Sequence, residues 1–318
     1  MNFRSIFFGR DNVLRSGWRF AIFIALFIFA GAIAGTLVSS MLGGIAISGE
    51  ASTTVFLSIN GAVSLMLALV IGAFCARYLE KLPFRSLGAW FTGGWLWHLI
   101  LGAAIGAATV SIAASIVVVA GGVTFQLNSA TSSEIARTLL RALVVFTIAG
   151  AFEEALFRGY ILQTFARAGL AWFAIALTSL FFAVVHLGNP NANWISSINT
   201  GLAGVWFGIA YLKTRDLWFV TGLHVLWNWV QGAIFGIEVS GLTDLIAAPL
   251  MREVDLGPTW LTGGSYGLEG GIVTTIAIVI SIAAIQLLPI FRPDPELLAM
   301  TSPQANQAGK VSPTTYLS

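Results

Sequence analysis

The chain has 318 residues, 57% hydrophobic and only 9% charged, with a mean hydropathy of +0.86. Soluble domains carry about 25% charged residues, so the composition excludes a pair of soluble domains and points to one polytopic membrane bundle. A formal net charge of +2 with no basic run argues against a nucleic-acid partner, and a single cysteine excludes an intramolecular disulfide or a Cys-based zinc site.

Residues 1–17 interleave Phe3, Ile6, Phe7, Phe8, Val13 and Leu14 with arginines, which reads as an amphipathic interfacial helix. A spanning helix needs about 20 mostly apolar residues. Eight segments fit that pattern: 18–42, 54–76, 95–120, 138–164, 171–187, 196–212, 217–235 and 271–288. The fifth, sixth and seventh are short and are expected in the bundle interior. Ala32-Ile33-Ala34 resembles a signal-peptidase site, but the length of the first span and the spans that follow favour an uncleaved helix. Cys75 reads as a small buried hydrophobe. His98, beside Trp95 and Trp97, reads as part of an interfacial aromatic belt. The loop 236–270 carries Glu238, Asp244, Glu253 and Asp255 with Pro249 and Pro258, and is expected to cap the bundle. The segment 292–318, with Pro293, Pro295, Pro303 and Pro313, is expected to be a disordered cytoplasmic tail. The 34 glycines are scattered, as close helix packing in membranes requires.

Setting Arg158 aside, lysines and arginines divide 12 to 3 between the two sides of this layout. The richer side holds Arg4, Arg10, Arg15, Arg19, Arg77, Lys81, Arg85, Arg167, Lys213, Arg215, Arg292 and Lys310. The other holds Arg137, Arg141 and Arg252. The positive-inside rule then puts both termini in the cytoplasm. The expectation is an all-α transmembrane bundle of about eight spans, residues 18–291, in the cell (inner) membrane and in contact with its lipids.

Three polar constellations interrupt the apolar helices: Glu153-Glu154-x-x-x-Arg158, Phe182-x-x-x-His186 and His224-x-x-x-Asn228. Ionisable residues at membrane depth cost at least about 2.5–3.5 kcal/mol each on insertion scales, so their presence points to use. Glu154 and Arg158, four apart, share a helix face and can pair. Glu153, about 100° around the helix, is left to face a cavity, where a desolvated carboxyl suits general acid–base work. Phe182 lies one turn before His186. His224 and Asn228 project together, and Gln231 extends their stripe. The bland alternatives are one buried ion network and two hydrogen-bonded membrane histidines. At about 1.5 Å per residue, Glu153 and His186 both lie roughly 21–22 Å from the turn joining their helices. His224 comes out shallower, at roughly 12 Å, and Asn228 at roughly 18 Å, unless the seventh helix is tilted or recessed.

In this order, each on a separate membrane helix, the three motifs resemble the CAAX-protease and bacteriocin-processing family of intramembrane endopeptidases, also called CPBP or Abi. Leu14-Arg15-Ser16-Gly17-Trp18-Arg19 also resembles its bacterial members. The resemblance implies a protease core at 138–235 that cleaves a membrane-associated, in some members prenylated, protein or peptide. It implies that Glu153 and His186 activate water, that His224 and Asn228 stabilise the oxyanion, and that Glu154, Arg158 and Phe182 support the site. It also leaves a metal open: Glu153, His186 and His224 are candidate ligands for a divalent ion such as zinc, although His-Glu-x-x-His is absent. Two other classes compete with the enzyme: a non-catalytic membrane interaction or bacteriocin-immunity protein, and a proton-coupled transporter. The latter lacks the expected repeats.

Overall fold

The computed structural model describes residues 4–9, 13–42, 50–242 and 245–302. Phe3, Arg10, Asp244, Pro303, Lys310 and Pro313 lie outside the described residues. All eight apolar segments form helices: α1 Ser16–Leu42, α2 Glu50–Leu79, α3 Trp95–Val119, α4 Ser132–Glu154, α5 Ala171–His186, α6 Trp194–Thr214, α7 Leu217–Trp229 and α8 Ile272–Leu287. Helix α4 runs on through a π-helical stretch, Ala155–Ile161, and a last α-helical turn, Leu162–Ala166. Helix α7 likewise continues into a π-helical stretch, Val230–Ile234.

Five of these helices are long and apolar enough to cross a membrane: Ser16–Met41, Thr54–Leu79, Trp95–Val119, Ser132–Ala166 and Trp194–Thr214. Ala171–His186 and Ile272–Leu287 are apolar but shorter. The short members are therefore not the expected fifth, sixth and seventh, since the sixth is full length and the eighth is not. Phe29, Leu37, Met66, Val70, Leu180 and Val279 are all exposed on the outer helices. An apolar belt of this kind is costly in water and is satisfied by lipid chains.

The interior follows from small residues. Helices α3 and α7 form the most extensive helix pair. A methyl group on Gly102 would fall 1.9 Å from the carbonyl oxygen of Phe219, and one on Gly106 would fall 2.1 Å from that of Leu223. Gly222 answers from the other side, where a methyl group would meet the carbonyl oxygen of Leu99 at 2.3 Å. This small-xxx-small seam lets the two backbones touch and draws α7 into the centre.

The all-α expectation needs one addition. Strands β1 Val123–Leu127 and β2 Met251–Asp255 pair antiparallel, with Val123 opposite Asp255 and Leu127 opposite Met251. β2 lies in the loop 236–270, so that segment is a folded cap anchored to the end of α3. Strand β1 is short and follows a long helix, so it carries too little alternation to stand out.

Three further expectations change. Among its described residues the amino-terminal segment has one helical turn, Arg4–Phe7, followed by an antiparallel bridge between Phe8 and Leu14. The tail expected to be disordered from Arg292 instead holds helix α9, Pro295–Thr301. Asp294 caps it by accepting from the Glu296 and Leu297 amides, Leu297 is fully buried, and Glu296 pairs with Arg85. His98 is no belt residue. It is buried, with Nδ1 2.7 Å from Asp216 Oδ2, and Asp216 also accepts the Trp218 amide to cap α7.

At that end of the bundle Glu80 gathers partners from α1 and from the end of the α4 continuation. It accepts from Arg167 Nε at 3.0 Å and Nη2 at 2.8 Å, and from Thr164 at 3.0 Å, and it pairs with Arg19. Arg19 and Arg167, both read from sequence as orientation signals, thus share one buried carboxylate.

Candidate active site

Glu154 is fully buried and stands at the junction of α4 with its π-helical continuation. Its Oε1 accepts from Arg158 Nη1 at 3.1 Å and sits 2.9 Å from His224 Nδ1. Arg158 Nη2 donates to the Gly204 carbonyl at 3.1 Å. The guanidinium carbon lies 5.6, 5.0 and 5.2 Å from the ring centroids of Phe157, Phe182 and Phe207. A cation with no water around it is thereby held by a carboxylate, a carbonyl and three ring faces. Gly204 permits this, because a methyl group there would lie 2.7 Å from Ser179 Cα; its absence lets α6 close on α5.

The two histidines are oriented differently. His186 Nδ1 lies 2.7 Å from the Phe182 carbonyl oxygen, which can only accept. In the neutral ring this puts the proton on Nδ1 and leaves Nε2 as a bare acceptor. His224 Nδ1 is committed to Glu154, and the ring stacks on Phe207 with centroids 4.6 Å apart. Its Nε2 lies 3.9 Å from Glu153 Oε2, an oxygen with no hydrogen-bond partner.

Glu153, His186, His224 and Asn228 line one cavity of about 370 Å³, with Phe182 and Phe207 in its walls. Helix arithmetic left His224 shallow. The structure brings it to Glu154 because the glycine seam draws α7 against α3; Gly150 of α4 also faces α7, where a methyl group would crowd Val225 Cγ2 at 3.1 Å. Gln231 does not extend the stripe into the cavity. It is buried, and its Nε2 donates to the Glu238 carbonyl at 2.6 Å, tying the end of α7 to the cap.

One cavity carboxylate has no counterpart in the sequence reading. Glu269 Oε1 accepts from Trp227 Nε1 at 3.0 Å, and Oε2 accepts from the Ser240 amide at 2.7 Å and the Ser240 hydroxyl at 2.9 Å. Asn199 Nδ2 donates to the Glu269 carbonyl at 2.8 Å. Burial pushes the Glu269 carboxyl above its ordinary range, against the Trp227 and Ser240 donors and the nearby His186. Gly267 makes the tight turn possible: its φ is +87°, and a methyl group there would sit 1.8 Å from the Glu238 carbonyl oxygen. The one signal for Glu269 was an acid inside a glycine-rich stretch just before the last apolar helix.

Among the described residues no three His, Cys, Asp or Glu side chains group as a metal ion requires. Glu153, His186 and His224 as placed therefore do not fit a zinc site, and His224 Nδ1 is already occupied by Glu154.

An apolar helix bundle thus closes around a buried carboxylate–imidazole cluster. Residues 135–230 match the family model of the Rce1-like type II CAAX prenyl endopeptidases. The chain therefore carries a CAAX-protease family domain at 135–230, and the match supports an intramembrane endopeptidase. No curated protein matches the chain.

Proposed function

We propose that this protein hydrolyses a peptide bond of a membrane-associated protein or peptide with water activated by Glu153 and His186. The observation that carries the proposal is the division of labour at the site. Glu154 and Arg158 satisfy each other, while Glu153 and three polar side chains from α5 and α7 turn to a shared cavity.

The Glu153 carboxylate, whose side chain is 24% exposed, and His186 Nε2 are the two acceptors available to polarise a water. As the water oxygen bonds to the substrate carbonyl carbon, its proton passes to this pair. The carbonyl oxygen becomes an oxyanion. Asn228 offers it an amide N–H, and His224 offers Nε2–H when the ring, flanked by two carboxylates, carries its second proton. Collapse breaks the C–N bond, and the proton held by Glu153 and His186 moves to the leaving amine. Glu154 and Arg158 touch no reacting atom; they set the orientation of His224.

The test is cleavage of farnesylated and unmodified peptides by the purified full-length chain in detergent. Glu153→Gln and His186→Ala are each expected to lower the rate by about 10²–10⁴-fold, the range of general acid–base catalysis, with the thermal midpoint held. Cleavage that survives both changes would overturn the proposal. Treatment with a chelator is expected to leave the rate unchanged.

A further inference from the structure

The proposed hydrolysis does not use Glu269, yet this carboxylate forms part of the cavity wall. The described lining holds two carboxylates, Glu153 and Glu269, and no lysine or arginine. Arg158 is fully buried behind phenylalanine rings and offers the cavity no charge. A carboxylate has about four acceptor positions. Ser240 fills the two on Oε2, and Trp227 takes one on Oε1, which leaves one open. Glu269 is half-buried, so part of it is accessible.

The cavity also has distinct ends. Leu57, Asn60 and Ser64 of α2 line one; Asn189, Ser240 and Glu269 line the end beneath the cap. Glu269 is the one carboxylate among the described lining residues at that end. A substrate segment reaching the cap end therefore meets the Glu269 carboxyl with no lysine or arginine among the described lining residues.

We propose that Glu269 is a specificity-determining residue that selects a lysine or arginine side chain on the part of the substrate reaching the cap end, and disfavours a free carboxylate there. The inference rests on the peptidase reading above and names its substrate class. In a poorly hydrated site like charges repel strongly, and the described lining offers no lysine or arginine to compensate an acid arriving beside Glu269. A basic side chain fills the open Oε1 position with a charge-assisted hydrogen bond. It also restores the charged form of a carboxyl that burial alone disfavours.

The test uses the full-length chain in detergent micelles. The probes are farnesyl-cysteine peptides that differ in the third residue after the cysteine: lysine amide, glutamine amide, glutamine free acid and glutamate free acid. Binding is measured with the Glu153→Gln variant and cleavage with the unaltered protein. The lysine peptide is expected to bind about tenfold or more tightly than the glutamate peptide, the scale of like-charge rejection in a desolvated site. The amide should also bind more tightly than the free acid. The double variant Glu153→Gln with Glu269→Gln keeps an acceptor for Trp227 and should bring these ratios close to one. Equal binding of all four probes, a preference for the acids, no binding at all, or a lysine preference that survives Glu269→Gln would each overturn the inference. Lysine-selective binding without any cleavage would instead sink the peptidase reading and leave the charge selection standing. Since the peptide comparison on the unaltered Glu269 needs no second substitution, a misfolded variant does not blunt the test.

Discussion

At the residue scale, Glu154 and Arg158 differ in what their removal leaves behind. Without Glu154, a fully buried guanidinium keeps one carbonyl and three rings but loses its counter-charge, and His224 loses the acceptor that orients it. Breaking a buried pair typically costs about 3–5 kcal/mol. Glu154→Ala is therefore expected to lower the unfolding free energy by about 3 kcal/mol or more and to abolish cleavage. Glu154→Gln keeps an oxygen for Arg158 and should recover much of the stability while activity stays low. Denaturant titration in micelles beside a cleavage assay checks both, and equal stability of the two variants would contradict the assignment. The i,i+4 pair was legible in the sequence, since charges one turn apart must meet in a helix. The second bond of Glu154, to a residue 70 positions away, was not, because nothing local specifies it.

At the element scale, the seam between α3 and α7 sets the depth of His224. Gly102, Gly106 and Gly222 each leave a gap that a single methyl group would close onto backbone. Backbone cannot rotate aside as a side chain can, so the helices must part. Gly106→Ala is expected to cost about 1–3 kcal/mol, the range for overpacking, and to lower cleavage by withdrawing α7 from Glu154. A thermal midpoint equal to that of the unaltered chain would refute this account. The π-helical stretches after Glu154 and at Val230–Ile234 adjoin the site residues of both helices, a placement such turns often have at functional sites. Regular helix arithmetic misses them, since a residue inserted into a turn leaves no mark in hydropathy.

At the scale of the whole molecule, the cap adds a pH response of its own. Burial, with Glu238 and Asp255 close by, raises the Glu253 carboxyl from 4.5 to about 8. The folded chain then holds a proton that the unfolded chain has released, so stability is greatest below the ordinary carboxylate range and falls as pH rises through about 8. The thermal midpoint in micelles is expected to decline across that window, and Glu253→Gln should remove this part of the decline. A variant that keeps the full slope would show that the carboxyl titrates elsewhere.

The sequence alone determined the class of the molecule, its eight apolar helices and which polar residues interrupt them. Those properties follow from composition and helical period, which are local. It also paired Glu154 with Arg158, because residues four apart share a helix face. Only the tertiary structure decided that His224 reaches Glu154, that His98 serves Asp216, that the loop 236–270 folds around a strand, and that Glu269 enters the cavity. Each of these joins segments far apart in the chain, and such contacts depend on how closely backbones approach. Here that approach is set by glycines whose missing side chains give no signal until two helices are seen to touch.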